Sequence, residues 1–128
     1  MSKVERFEDL EVWQLARRLT VKIYSLTKIG SFSRDYGLKE QIQRAAVSIV
    51  SNIAEGFDRR SNLQFLHFLE IAAGSASEVR AQLYVASDLG YITSVQFSEM
   101  IRDVEGISRM LTRFMQYLQN QPNRVDVK

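Results

Sequence analysis

From Val12 to Leu118 apolar residues return every three or four positions in four successive runs, and no proline interrupts any of them, because the single proline is Pro122. That spacing lines side chains along one face of an α-helix, whereas a half-buried strand needs a period of two, and no strand-like alternation of useful length occurs. The first stripe is Val12, Leu15, Ala16, Leu19, Ile23 and Leu26, predicting a helix from about Asp9 to Thr27. The second, from about Tyr36 to Glu55, carries Leu38, Ile42, Ala45, Ala46, Ile49 and Ile53. The third follows Ser61 and ends before Gly90; its stripe is Phe65, Phe68, Leu69, Ala72, Ala76, Val79, Leu83 and Ala86. The fourth starts near Thr93 and carries Phe97, Ile101, Val104, Leu111, Met115 and Leu118, with fraying expected after Asn120.

Punctuation supports these divisions. Gly30, Gly56 and Gly90 each follow a periodic run, at the place where a helix ends in a left-handed residue. Ser61 with Gln64 and Thr93 with Gln96 have capping-box spacing. At the first helix Asp9 as a cap and a Phe7–Val12 staple around Glu8 are both open. Gly74 interrupts the third run, but one glycine costs only about 1 kcal/mol in a helix, and the period continues on both sides. Four amphipathic helices with short links pack as an antiparallel bundle. The expected fold is therefore all-α, an up-down antiparallel four-helix bundle. A length of 128 residues fits one domain, with its ordered core over about 7–120.

Composition removes several functions. There is no cysteine, hence no disulfide framework and no thiolate chemistry. The opening stretch Met1–Asp9 lacks the apolar run of a signal peptide. No apolar stretch approaches membrane-span length, so a cytoplasmic protein without membrane attachment is expected. The net charge of +2 is too small to argue nucleic-acid binding by itself; a local patch is needed.

Some apolar positions exceed one core's needs. They are Ile71, Ala81 and Val85 beside Gly74 on the third helix, Ile107, Met110 and Phe114 on the fourth, and Leu10 and Val21 at the first. Such surplus on several helices points to self-association.

Few residues suggest chemistry. Gln41, Arg44, Ser48, Asn52 and Glu55 share one face of the second helix, and packing could bring Arg44, Asn52 and Glu55 to Ser75 and Glu78 on the third. We read this group as a buried structural network that fixes helix register; an acid–base pair of Glu55 and Glu78 is the remote alternative, because no nucleophile or cleft accompanies it. His67 precedes Glu70 by three residues, the reverse of the paired Glu-x-x-His order of di-iron bundles, so no metal and no cofactor is expected. Arg59 and Arg60 adjoin a helix N-terminus, where backbone amides favour anions, although Glu55 and Asp58 are near enough to neutralise them. Arg102, Arg109 and Arg113 fall on one side of the fourth helix, interrupted by Asp103 and Glu105; Arg17, Arg18 and Lys22 cluster on the first. Converging cations can neutralise phosphates, and Trp13, Tyr84 and Tyr91 could stack on bases, while local ion pairing and packing are the simpler accounts of each.

The segments Phe7-Glu-Asp-Leu-Glu-Val-Trp13-Gln-Leu-Ala16, Gln41-Ile-Gln-Arg44-Ala-Ala-Val-Ser48-Ile-Val-Ser-Asn52-Ile-Ala-Glu55-Gly56 and Phe65-Leu-His-Phe-Leu-Glu-Ile-Ala-Ala-Gly74-Ser75-Ala-Ser-Glu78 resemble bacterial four-helix-bundle proteins first noticed in intervening sequences of 23S ribosomal RNA genes. Tyr91-Ile92 and Met110-Leu111 fit the remaining pattern, so the resemblance runs from about Phe7 to Leu118. Gly30–Gly37 departs from the proline-bearing linker of that family. The resemblance implies an up-down bundle assembling as a ring, typically a pentamer. It also links the chain loosely to nucleic-acid-binding accessory proteins of diversity-generating retroelements. The leading expectation is a non-enzymatic homo-oligomer that binds nucleic acid, RNA before DNA, through Arg59, Arg60, Arg102, Arg109 and Arg113. The runner-up is a protein-interaction scaffold without nucleic-acid binding.

Overall fold

The computed structural model describes residues 4–121; Pro122 and the tail expected to fray lie outside them. A short 3-10 turn at Phe7–Asp9 leads into α1 (Glu11–Leu26), followed by a five-residue helix α2 (Gly30–Arg34), then α3 (Tyr36–Phe57), α4 (Asn62–Asp88) and α5 (Ser94–Gln119). The four long helices pack in a closed cycle, α1 on α3, α3 on α4, α4 on α5 and α5 on α1. Side-chain pairs give the directions. Gln82 donates to Gln41 and Ser75 to Ser48, so position rises along α4 as it falls along α3. Tyr84 meets Phe97 at one end of α4 and Phe65 meets Phe114 at the other, so α4 and α5 also run oppositely. The fold is the expected all-α up-down bundle.

The predicted stripes meet at its axis. Ala16, Leu19, Ile23, Ile42, Ile49, Ile53, Leu69, Ala76, Val79, Leu83, Val104 and Leu111 are buried, each large side chain adding roughly 1.5–3 kcal/mol by leaving water. Part of the apolar surplus is absorbed here too. Ile107 and Leu10 are buried, and Met110 and Phe114 pack against the core. Four residues expected to face a partner thus serve the bundle itself: Ile107, Met110 and Phe114 because the inward sector of α5 is wider than one narrow stripe, and Leu10 at the start of α1. Val21, Ile71 and Val85 remain exposed, as does Ala81.

The three glycines expected to stop helices play three different roles. Gly90 is the expected left-handed stop, at φ +75°; Tyr91 N–H reaches Ala86 C=O at 2.9 Å and Gly90 N–H reaches Ser87 C=O at 3.0 Å, the paired bonds of a Schellman motif. Gly30 has φ +58° but lies beyond the end of α1 and opens α2 instead. Gly56 stops nothing: it is buried inside α3, where a methyl group would stand 2.8 Å from Phe65 Cδ1 and 2.8 Å from Phe68 Cβ. Its small size, not backbone freedom, lets α4 come close.

Thr93 forms the expected full capping box with Gln96, while at Ser61 only half of the expected box is present, its side chain accepting from Gln64 N–H. Neither option for α1 occurs. Asp9 belongs to the 3-10 turn and Leu10 precedes α1 without a side-chain cap. Phe7 packs edge-on to Trp13 at 5.2 Å. The departing segment Gly30–Gly37 closes one end of the bundle. Phe32 is buried and stacks on Tyr91 at 5.1 Å, and Tyr91 Oη donates to Asp35 Oδ2 at 2.9 Å. Asp35 also caps α3 by accepting from Leu38 N–H at 3.1 Å. The Tyr91–Asp35 hydrogen bond, with burial and the Asp35 charge behind it, raises the Tyr91 hydroxyl pKa above its ordinary value.

Candidate functional site

Arg102, Arg109 and Arg113 are separated by seven and four residues, close to whole turns of α5, so they project from one side of it. All three are exposed. The acids interleaved with them are engaged elsewhere. Asp103 and Glu99 hold Lys22 of α1 at 2.8 and 3.4 Å, and Glu105 holds Arg80 of α4 at 3.6 Å. The side-chain hydrogen bond to Asp103 is the main reason that the Lys22 ammonium pKa is raised; burial acts against it, and the Asp103 charge and Glu99 add to the rise. Among the described residues no ion pair joins Arg102, Arg109 or Arg113 to a carboxylate. The row is therefore a set of solvent-facing cations, not a chain of local pairs. Ser108 and Thr112 complete a shallow hollow of about 300 Å³ with Arg109 and Arg113.

Arg59 and Arg60 lie in the turn between α3 and α4, both exposed. Local neutralisation by Glu55 and Asp58 is not what the geometry favours. The Arg59 guanidinium lies 4.7 Å over the Phe68 ring, a cation–π contact worth about 0.5–1 kcal/mol at an exposed site. Around it Leu63, Gln64 and His67 complete a shallow cleft of about 380 Å³. Phe65 meets Phe114 and Asn62 reaches the Leu118 carbonyl, so this cleft sits toward the end of the bundle that also carries Arg113. Phe68, Leu63 and Gln64 were missed as site residues. Phe68 reads as core by its spacing, and its pairing with Arg59 depends on how the turn folds back.

The polar network is narrower than expected. Ser75 donates to Ser48 at 2.7 Å, and Asn52 Nδ2 donates to the Ser48 carbonyl at 2.8 Å and hydroxyl at 3.0 Å. Ser48 is thus the hub that ties α3 to α4. Arg44, Glu55 and Glu78 are exposed, and among the described residues none of their side chains joins a hydrogen bond or ion pair within the chain. Helical spacing placed them on the correct side but could not say how deep that side lies. Arg17 lies over the Trp13 ring at 5.5 Å, farther than Arg59 from Phe68, Arg18 is exposed, and Tyr84 packs edge-on to Phe97. His67 is exposed beside Phe68. Among the described residues no group of three or more potential ligands could hold a metal ion, and no helix is long and apolar enough to cross a membrane.

The molecule is thus an up-down four-helix bundle whose polar chemistry lies on its outer surface, in an arginine row on α5 and a mixed cleft at the start of α4. The chain belongs to the 23S rRNA-intervening sequence protein family, whose model matches residues 8–113. A similar solved structure is that of a protein of unknown function from the S23 ribosomal protein family of Bacteroides thetaiotaomicron, with 25% identity, a TM-score of 0.75, and coverage of 81% of this chain and 97% of that one. No curated protein matches the chain.

Proposed function

We propose that this protein is a non-catalytic, cytoplasmic homo-oligomer that binds nucleic acid, RNA before DNA, through repeated arginine surfaces. The observation that carries the reading is the row Arg102, Arg109 and Arg113, exposed on α5 while Asp103 and Glu105 are held by Lys22 and Arg80. Cations left without internal partners are available to phosphates, and guanidinium groups match phosphate oxygens in pairs. Arg59 and Arg60 add two more cations at the end of the bundle where α5 finishes. One such set is weak in salt, but copies linked in an assembly act at high effective concentration.

Self-association is supported by the outer face of α4, where Ile71 and Val85 are exposed beside Gly74, around which nothing lies within 4 Å of a would-be Cβ. A small residue flanked by apolar ones lets another helix approach closely. Five subunits is the number the family resemblance implies.

The test is binding of labelled RNA and DNA over a salt series, with light scattering of the same sample. Expected are an oligomer mass and an affinity that falls steeply with salt as counterions are released. A monomer mass at micromolar concentration would end the oligomer reading. No binding of either nucleic acid at low salt would replace the function by a protein-interaction scaffold, for which the same α4 face is the natural surface.

A further inference from the structure

We propose that the cleft at the start of α4 is a stacking site for an unpaired nucleobase, so that the protein selects single-stranded over duplex nucleic acid. This rests on the nucleic-acid reading above and adds to it the form of ligand recognised. The arginine row on α5 can follow a phosphate backbone of either form. The cleft differs in kind, because its floor is planar.

The floor is Arg59. Its guanidinium carbon lies 4.7 Å over the Phe68 ring, and the residue is exposed, so the group is held against an aromatic surface while staying open to a ligand. Unpaired bases stack on aromatic rings and on guanidinium planes alike. Holding the guanidinium against the ring beforehand removes part of the ordering cost that a free arginine would meet on binding. The guanidinium N–H groups lie in that plane, at the rim of a stacked base, where phosphate or carbonyl oxygens would be found.

The walls suit a base as well. Leu63 is 78% exposed, although it lines the cleft, so an apolar side chain stands in water at its rim. Gln64 offers an amide, both donor and acceptor, for a base edge; its backbone N–H is taken by Ser61. His67 is exposed on the same side, with its ring 5.8 Å from that of Phe68. A volume of about 380 Å³ lies within the usual range of small-ligand sites. Glu55, Asp58 and Glu70 are the nearby acids in sequence, and among the described residues none forms an ion pair with Arg59 or Arg60. A one-sided, shallow cleft can receive a base only when that base is not already stacked and paired in a duplex, which is why single strands are favoured.

The experiment compares a labelled oligoadenylate with a duplex RNA of equal length at low salt, by fluorescence anisotropy. Wild-type protein should bind the single strand more tightly. Arg59→Lys keeps the charge but loses the plane, and should weaken single-strand binding by roughly 5- to 150-fold, the value of one stacked base, with duplex binding unchanged. Leu63→Ser should act in the same direction; because Leu63 is exposed and Arg59→Lys keeps a cation beside Phe68, both variants should melt within a few degrees of wild type. Arg109→Ala with Arg113→Ala should instead weaken both ligands together. Equal binding of both forms, or an Arg59→Lys variant that binds oligoadenylate as wild type does, overturns the stacking site while leaving the phosphate-binding reading standing. Binding of neither form by wild-type protein overturns both readings at once.

Discussion

Adding one methyl group at each of two glycines should move stability in opposite directions. At Gly56 the new Cβ would stand 2.8 Å from both Phe65 Cδ1 and Phe68 Cβ, against a normal carbon–carbon separation of about 3.5–4.0 Å. The Phe65 ring can turn, but Phe68 Cβ is fixed to α4, so relief requires the two helices to part. Overpacking of this kind costs about 1–3 kcal/mol. The gain in helix propensity offsets at most about 1 kcal/mol, less near the end of α3. Gly56→Ala should therefore lose about 0.5–2 kcal/mol and several degrees of melting temperature. Gly74 lies mid-helix with nothing of its own bundle within 4 Å, so in the isolated bundle Gly74→Ala should gain about 0.5–1 kcal/mol from propensity. Thermal and urea melts followed by circular dichroism, at matched protein concentration because assembly raises apparent stability, read both. A Gly56→Ala variant as stable as wild type would refute the close-approach account of Gly56. Light scattering adds a second reading: if the outer face of α4 joins subunits, Gly74→Leu should loosen the assembly without unfolding the bundle.

Glu78→Ala, at an exposed position without an internal side-chain partner, should shift stability by no more than about 0.5 kcal/mol, whereas Ser75→Ala, which removes the hydrogen bond from α4 to Ser48, should cost about 0.5–1.5 kcal/mol; chemical denaturation separates them. Replacing Arg102, Arg109 and Arg113 together by alanine should lower the salt slope for single-stranded RNA by about 2, at roughly 0.7 per neutralised phosphate, with the melting curve little changed. Tyr91 should make the fold sensitive to alkali. Its pKa is raised in the folded chain by the hydrogen bond to Asp35, so the stabilisation is complete below the unfolded value near about 10 and is lost as pH rises through the folded one. Tyr91→Phe should therefore lower stability at neutral pH and narrow the difference between neutral and alkaline melting; an unchanged difference would show that the bond contributes nothing. Lys22→Met should act in the same sense, since the raised Lys22 pKa also ties its contribution to the protonated form.

The period of the apolar residues, the absence of proline before Pro122 and the two cap pairs Ser61–Gln64 and Thr93–Gln96 were enough to determine four long helices and their antiparallel order, because these depend on spacing and local hydrogen bonds. They also placed Arg102, Arg109 and Arg113 on one face, since two whole-turn steps leave little freedom. What only the tertiary structure decided is depth and partnership. Spacing puts Arg44, Glu55 and Glu78 beside Ser48 and Ser75, yet only the distance between α3 and α4 leaves the charged groups in water and the hydroxyls in contact. It assigns Phe68 to the core, yet the turn after α3 lays Arg59 across that ring. It reads Gly56 as a helix stop, when the residue is there to admit Phe65 and Phe68. Each difference has one physical cause: periodicity along a helix specifies the direction in which a side chain leaves it, while the environment it meets is set by a neighbouring helix many residues away in the chain.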